Sequence, residues 1–138
     1  MALDIYLNFP GNCREVIRFY ADVFGVETGN LMTFGDVPPH PDHHVSEEAK
    51  DLIMHARLDI DGTGIMFTDA MPGTLTIGNN VSIVYNSDST EKMKAIFEKL
   101  SAGGNVTMEL QATFWSKYYG MLTDKFGTNW MFNHVGES

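Results

Sequence analysis

The apolar positions of this chain alternate in short runs, switch to helical spacing, and then do the same again. Residues 3–9 alternate apolar and polar side chains and stop at Pro10-Gly11, which predicts a strand closed by a turn. Cys13, Val16, Ile17, Tyr20, Val23 and Phe24 then recur on one face of a helix that Gly25 can end. Asn12 and Glu15 read as its capping box. Residues 26–33 predict a strand or edge. Residues 34–51, rich in Pro, His and acidic side chains, predict a loop with at most one helical turn at Ser46-Glu47-Glu48. Residues 53–60 predict a strand, Asp61-Gly62 a hairpin turn and residues 64–69 the returning strand.

The second half repeats this order. Residues 81–85 predict a strand, Asp88 with Glu91 a second capping box, and Met93, Ile96, Phe97 and Leu100 the stripe of a helix that Gly103-Gly104 stops. Strands at 105–110, 116–123 and 129–135 follow. The repeat is visible residue by residue: Gly-Thr-Gly-Ile-Met-Phe at 62–67 answers to Gly-Thr-Asn-Trp-Met-Phe at 127–132. Ile5, Leu7, Phe9, Asn12, Glu15 and Tyr20 answer to Val81, Ile83, Tyr85, Asp88, Glu91 and Ile96. Each half is thus βαβββ, too long a unit for a solenoid repeat of about 20–50 residues. A helix covers only one face of each sheet, leaving the other to be covered or used. The expectation is one α+β domain over residues 1–138, with a first module at 1–70, a linker at 71–79 and a second module at 80–138. Together the modules should form a curved mixed sheet with helices outside and a cleft within.

Composition narrows the partners. The net charge of −9, from 18 acidic against 9 basic side chains, works against nucleic acid or an anionic membrane as partner. Cys13 is the single cysteine, which forbids an intrachain disulfide and suits the cytoplasm. No apolar run approaches the roughly 20 residues of a membrane span. A hydrophobic fraction of 43% supplies an ample core, so a folded soluble protein is expected.

Several longer stretches resemble a known family. They are Gly-Asn-x-x-Glu at 11–15, Phe-Tyr-x-x-Val-Phe-Gly at 19–25, Met-Thr-Phe-Gly-Asp at 32–36 and Ile-Met-His-Ala-Arg-Leu at 53–58. Thr-Phe-Trp at 113–115, Tyr-Gly-Met-Leu-Thr-Asp-x-Phe-Gly at 119–127 and Trp130-Met131 continue the match. The chain resembles the PhnB-like family of the vicinal oxygen chelate superfamily, which includes glyoxalase I, extradiol dioxygenases and bleomycin-resistance proteins. The resemblance implies tandem βαβββ modules, a small-molecule ligand in the cleft and a homodimer. It also implies a divalent metal held by His and Glu on the first and last strand of each module. Carried over, those positions fall on Ile5, Met66, Asn80 and Met131, with Tyr6 and Val81 one residue away, and these groups together cannot form a site for a hard or borderline ion. No metal and no cofactor are therefore expected. The family also travels as 3-demethylubiquinone-9 3-methyltransferase, but no glycine-rich turn follows a strand here as a cofactor-binding fold requires.

The remaining chemistry is sparse. His55, Arg57 and Asp59 share one face of their predicted strand, opposite Met54, Ala56, Leu58 and Ile60. His55 and Arg57 could bind an anionic group, or His55 could move a proton as a catalytic acid or base. Trp115, Tyr119, Met121 and Trp130, with Phe114, Met66 and Met131, offer an apolar, adaptable ligand surface. His40, His43 and His44 cluster in a loop whose prolines prevent a helix that would align them. The favoured expectation is a metal-free small-molecule-binding protein with His55, Arg57, Trp115, Tyr119, Met121 and Trp130 as ligand contacts. An enzyme of the superfamily using His55 is the alternative, and a methyltransferase a third reading.

Overall fold

The computed structural model describes residues 3–36 and 46–136, so His40, His43 and His44 lie outside the described residues. The chain divides into two compact units, Met1–Thr76 and Ile77–Ser138. In the first, β1 (Ile5–Phe9) leads into α1 (Cys13–Phe24), followed by β2 (Met32–Thr33), β3 (Ile53–Ile60) and β4 (Thr63–Asp69). In the second, β5 (Ser82–Ser87) leads into α2 (Thr90–Ser101), followed by β6 (Asn105–Gln111), β7 (Tyr119–Thr123) and β8 (Asn129–His134). The sheets run β1-β4-β3-β2 and β5-β8-β7-β6. In each, the first strand pairs parallel with the last, and the remaining pairs are antiparallel. The tandem βαβββ order expected from the repeat is the order observed.

Each unit buries one sheet face under its helix. In the first unit Val16, Ile17 and Tyr20 of α1 are fully buried, as are Leu58 and Phe67 of the sheet, and the Tyr20 and Phe67 rings lie 5.9 Å apart. In the second, Phe97 of α2 meets Phe132 edge-on at 5.1 Å, with Trp130 and Leu122 buried beside them. Turn chemistry follows the sequence at two points. Asp61 and Gly62 both take positive φ (47° and 90°), as a tight hairpin requires. Gly25 ends α1 at φ 67°, with Val26 N–H bonded back to Ala21 O.

Three expectations are corrected. The run at 26–33 forms a strand only at Met32–Thr33, because Val26 is spent on the helix end and Gly29 turns the chain at φ 62°. Strand β7 starts at Tyr119 rather than at 116, since Ser116 closes a turn with Thr113 instead. The capping boxes do not form. Asn12 sits at φ −104°, ψ 18°, outside the extended region a capping side chain needs, and makes no cap bond. In the second unit the cap is Ser89, which accepts from Lys92 N–H at 3.1 Å, one residue beyond Asp88.

The helix entrance in the first unit is closed from a distance. Asp69, at the end of β4 and 3% exposed, accepts from Gly11 N–H (3.0 Å) and Cys13 N–H (2.9 Å) through Oδ1 and from Ile53 N–H (2.8 Å) through Oδ2. Three backbone donors without this carboxylate would be left unsatisfied at about 1–3 kcal/mol each. Asp69→Ala should therefore lower the unfolding free energy by about 3 kcal/mol or more, read from urea denaturation. A loss below about 1 kcal/mol would show that water replaces the carboxylate.

Cys13 is fully buried, and that burial, with the Asp69 carboxylate adding to it, pushes its thiol up from 9.0 to about 12. An unfolded chain releases this proton from pH 9 upward while the folded chain keeps it until about 12. Stability therefore falls as pH rises through that window and is untouched below it. The fall should be shallower in Cys13→Ala, and Ellman's reagent at pH 8 should find no thiol until the protein is unfolded.

Candidate functional site

The face of each sheet turned away from its helix carries the side chains with chemistry. In the first unit, strand register sets Tyr6 beside Met66 and Met66 beside Arg57. His55 shares this face with Arg57 by plain alternation, and β3 turns irregular just before it. Met32 and Thr33 pair with His55 and Ile53, so Met54 is an extra residue. The bulge returns Ile53 to the buried face (0% exposed) with Ala56, and leaves Met54 half-buried rather than in the apolar row the alternation predicted. Thr68 Oγ1 holds the bulge by donating to Met54 O at 2.8 Å.

Tyr6 completes the arrangement. Its hydroxyl lies 3.1 Å from His55 Nδ1 and 3.5 Å from Met54 O, with the two rings edge-on at 5.9 Å. This leaves His55 Nε2 without a hydrogen-bond partner among the described residues. Arg57 Nε donates to Asp59 Oδ1 at 3.0 Å, both side chains being more than half exposed. The two pairs bring His55, Arg57 and Asp59 onto the face their spacing predicted. Tyr6 is the residue that sequence reasoning missed as a participant. Its place between inward Ile5 and Leu7 is the signal that would have found it.

In the second unit, register places Val84, Met131, Met121 and Met108 in one row across four strands. Tyr119 lies in the next row opposite Asn133, and its hydroxyl donates to Met131 Sδ at 3.3 Å. Trp115 packs edge-on against Tyr119 at 5.4 Å, and Phe114 against Trp115 at 4.7 Å. Phe114 is 97% and Trp115 55% exposed, yet the loop is not slack. Thr113 N–H donates to Ser116 O, and buried Ser116 donates from Oγ to Tyr118 O. The structure thus brings Trp115, Tyr119, Met121 and Met131 together. It places Trp130 elsewhere: 2% exposed, on the helix-facing row with Leu122, its Nε1–H given to Asp124 Oδ2 at 2.9 Å. Trp130 and Met131 are consecutive strand residues and cannot share a face, so Trp130 is core.

Comparison with known proteins fixes the family. The model of the Glyoxalase/Bleomycin resistance protein/Dioxygenase superfamily matches residues 3–132. The chain belongs to this superfamily. It is 35% identical to protein YjdN of Escherichia coli (strain K12), over 98% of this chain and 96% of YjdN. The solved structure of protein PA1353 from Pseudomonas aeruginosa is 37% identical, with a TM-score of 0.82 over 99% of this chain and all of that one. The PhnB protein of Bacillus cereus, provisionally named a 3-demethylubiquinone-9 3-methyltransferase, superposes at a TM-score of 0.78 over 98% of this chain and 100% of that chain. At 23% identity it shares the fold, and its name does not transfer.

Superfamily enzymes hold a metal on the first and last strands of each module, and the residues here do not fit one. The register pairs at those positions are Tyr6 with Met66 and Val84 with Met131. Ile5 pairs with Ile65 on the helix-facing row, and Asn80 precedes β5. Phenol, thioether and alkyl groups do not make a site for Zn, Ni, Fe or Mn. Among the described residues no three His, Cys, Asp or Glu side chains converge on one point, and no helix is long and apolar enough to cross a membrane.

The two tryptophans give a direct check on the second unit. Acrylamide should quench Trp115 fluorescence and leave Trp130 largely protected, so Trp115→Phe should abolish most of the quenchable signal. Equal quenching of both in the native state would contradict the placement of Trp130 in the core.

Proposed function

We propose that the chain is a small-molecule-binding protein that receives its ligand on the helix-free sheet faces and needs no divalent metal to do so. One observation carries the reading. The last-strand positions where superfamily enzymes keep metal ligands hold Met66 and Met131, while the faces around them stay equipped with oriented side chains. Methionines give a polarizable surface that adapts to varied shapes. Trp115, held edge-on to Tyr119, adds a preset aromatic contact, and His55 and Arg57 add polar ones. The Tyr6–His55 hydrogen bond favours a second reading, in which His55 acts as acid or base toward the bound molecule. A methyltransferase is not supported, because neither mixed sheet offers the glycine-rich turn between a parallel strand and a helix that such a cofactor needs.

The same reading takes a two-fold homodimer acting in the cytoplasm as the working form. Exposed Leu3, Val81, Phe114 and Trp115 supply apolar surface for assembly or ligand, and the lone cysteine suits a reducing compartment. Light scattering at micromolar concentration should give twice the chain mass, with an interface burying more than about 1,200 Å² in total. A monomer would contradict it.

The function itself is tested by thermal shift against a metabolite and metal panel. A small molecule present at 100 times its Kd adds about 2.7 kcal/mol of stability. His55→Ala and Trp115→Ala should weaken binding while leaving the melting temperature of the free protein within a few degrees. Elemental analysis of untagged protein should give well under one equivalent of Zn, Ni, Fe or Mn. One tightly held equivalent, lost on replacing His55, would overturn the metal-free reading.

A further inference from the structure

Two side chains on the helix-free face of the first unit have their inner nitrogens engaged and their outer nitrogens open. The Arg57 guanidinium lies across Gly64, the neighbour of Asp59 in the β3–β4 ladder. A Cβ on Gly64 would stand 2.5 Å from Cζ and 2.6 Å from Nε of Arg57, so any larger residue there would push the guanidinium from this place. Gly64 takes no left-handed backbone, and the space where its side chain would stand is filled by the Arg57 guanidinium. Asp59 takes the Nε–H, and the Nη atoms make no hydrogen bond among the described residues. Two positions earlier on the same face, Tyr6 engages His55 Nδ1 and leaves Nε2 open. A surface ion pair between Arg57 and Asp59 would need no glycine beneath it.

We propose that Arg57, bedded on Gly64 and oriented by Asp59, is a preorganised clamp for an oxyanion, with His55 Nε2 as a flanking polar contact. The ligand class is a small molecule bearing a carboxylate or a phosphate-type group. The planar fork of a guanidinium matches both through paired N–H bonds, and holding it flat before binding removes ordering cost. The net charge of −9 opposes an anion at long range, but salt screens that field beyond about 8–10 Å, whereas the clamp acts by contact. This inference rests on the small-molecule function proposed above and adds the ligand's anionic handle.

The test follows the Arg57 Nε–H resonance, assigned through Arg57→Lys, in protein titrated with inorganic phosphate, benzoate or benzamide. Phosphate or benzoate should shift it saturably and benzamide should not, the tighter of the two anions naming the oxyanion. Gly64→Ala keeps every charge and displaces only the guanidinium, so it should weaken the anion about tenfold or more. Arg57→Lys, which loses the fork but not the charge, should do the same and serves as the check should Gly64→Ala fail to fold. Unchanged affinity in a folded variant, or benzamide binding as well as benzoate, overturns the clamp. Should Trp115 fluorescence respond to benzamide while Arg57 stays silent to every probe, the clamp falls and the small-molecule reading stands. Silence at both residues overturns both.

Discussion

One buried carboxylate ties the helix entrance of the first unit to its sheet. Asp69 gathers N–H groups from the β1–α1 turn and from the first residue of β3, so it ties together three segments that are distant in sequence. The turn enters the helix with Asn12 in a conformation that cannot cap, and burying Cys13 there leaves no water to do so. Fixing Ile53 N–H has a second consequence. The chain then inserts Met54 before His55, so Ile53 returns to the buried face while His55 keeps the face of Arg57 by plain alternation. Thr68, one residue before Asp69, secures the same bulge from β4. Adjacent residues of one strand thus hold the helix entrance and the β3 bulge.

The second unit meets the same geometric demands with different residues. His134 stands where Asp69 does, sixty-five residues on, and its Nε2 lies 3.2 Å from Asp88 O while Ser89 caps the helix locally. With the cap supplied nearby, the buried carboxylate moves to Asp124. It accepts from Phe126 and Thr128 N–H and from the Trp130 indole, closing the β7–β8 turn. The Trp130 indole, expected at a ligand, is instead committed to that turn. The two units thus share strand order and pairing while different polar bonds close their helix entrances and turns.

Much of this was legible in the sequence. The period-two and helical runs placed both helices and most strands, and Asp61-Gly62 named its turn. What escaped was either long-range or one residue wide. Asn12 followed by Glu15 satisfies a local capping rule, but the bond that wins comes from Asp69, fifty-seven residues away in the chain. The β3 bulge shifts the alternation at Met54 alone, and the consecutive apolar residues Leu52, Ile53 and Met54 mask the slip. At the site, the spacing of His55 and Arg57 located their face correctly. Tyr6 was passed over because the hydrogen bond that makes it matter reaches across β4 to a residue 49 positions along the chain. Trp130 was expected as a ligand contact and Met131 as part of the same apolar surface, although adjacent strand residues cannot share a face.

The chemical distance from the metalloenzymes of the superfamily is set by donor count. A catalytic zinc needs about three protein ligands and an open position. Of the first- and last-strand residues here, Tyr6 hydrogen-bonds His55, Val84 has no donor atom, and the Met131 sulfur already accepts from Tyr119. Installing His at Met66 alone would add one imidazole beside Arg57, whose positive charge opposes a bound cation. Restoring a metal would thus require several coordinated replacements and the removal of Arg57. The same charge that disfavours a cation at this face favours an anionic ligand there. The absence of metal donors and the placement of Arg57 over Gly64 therefore point the same way, toward a face unsuited to a cation.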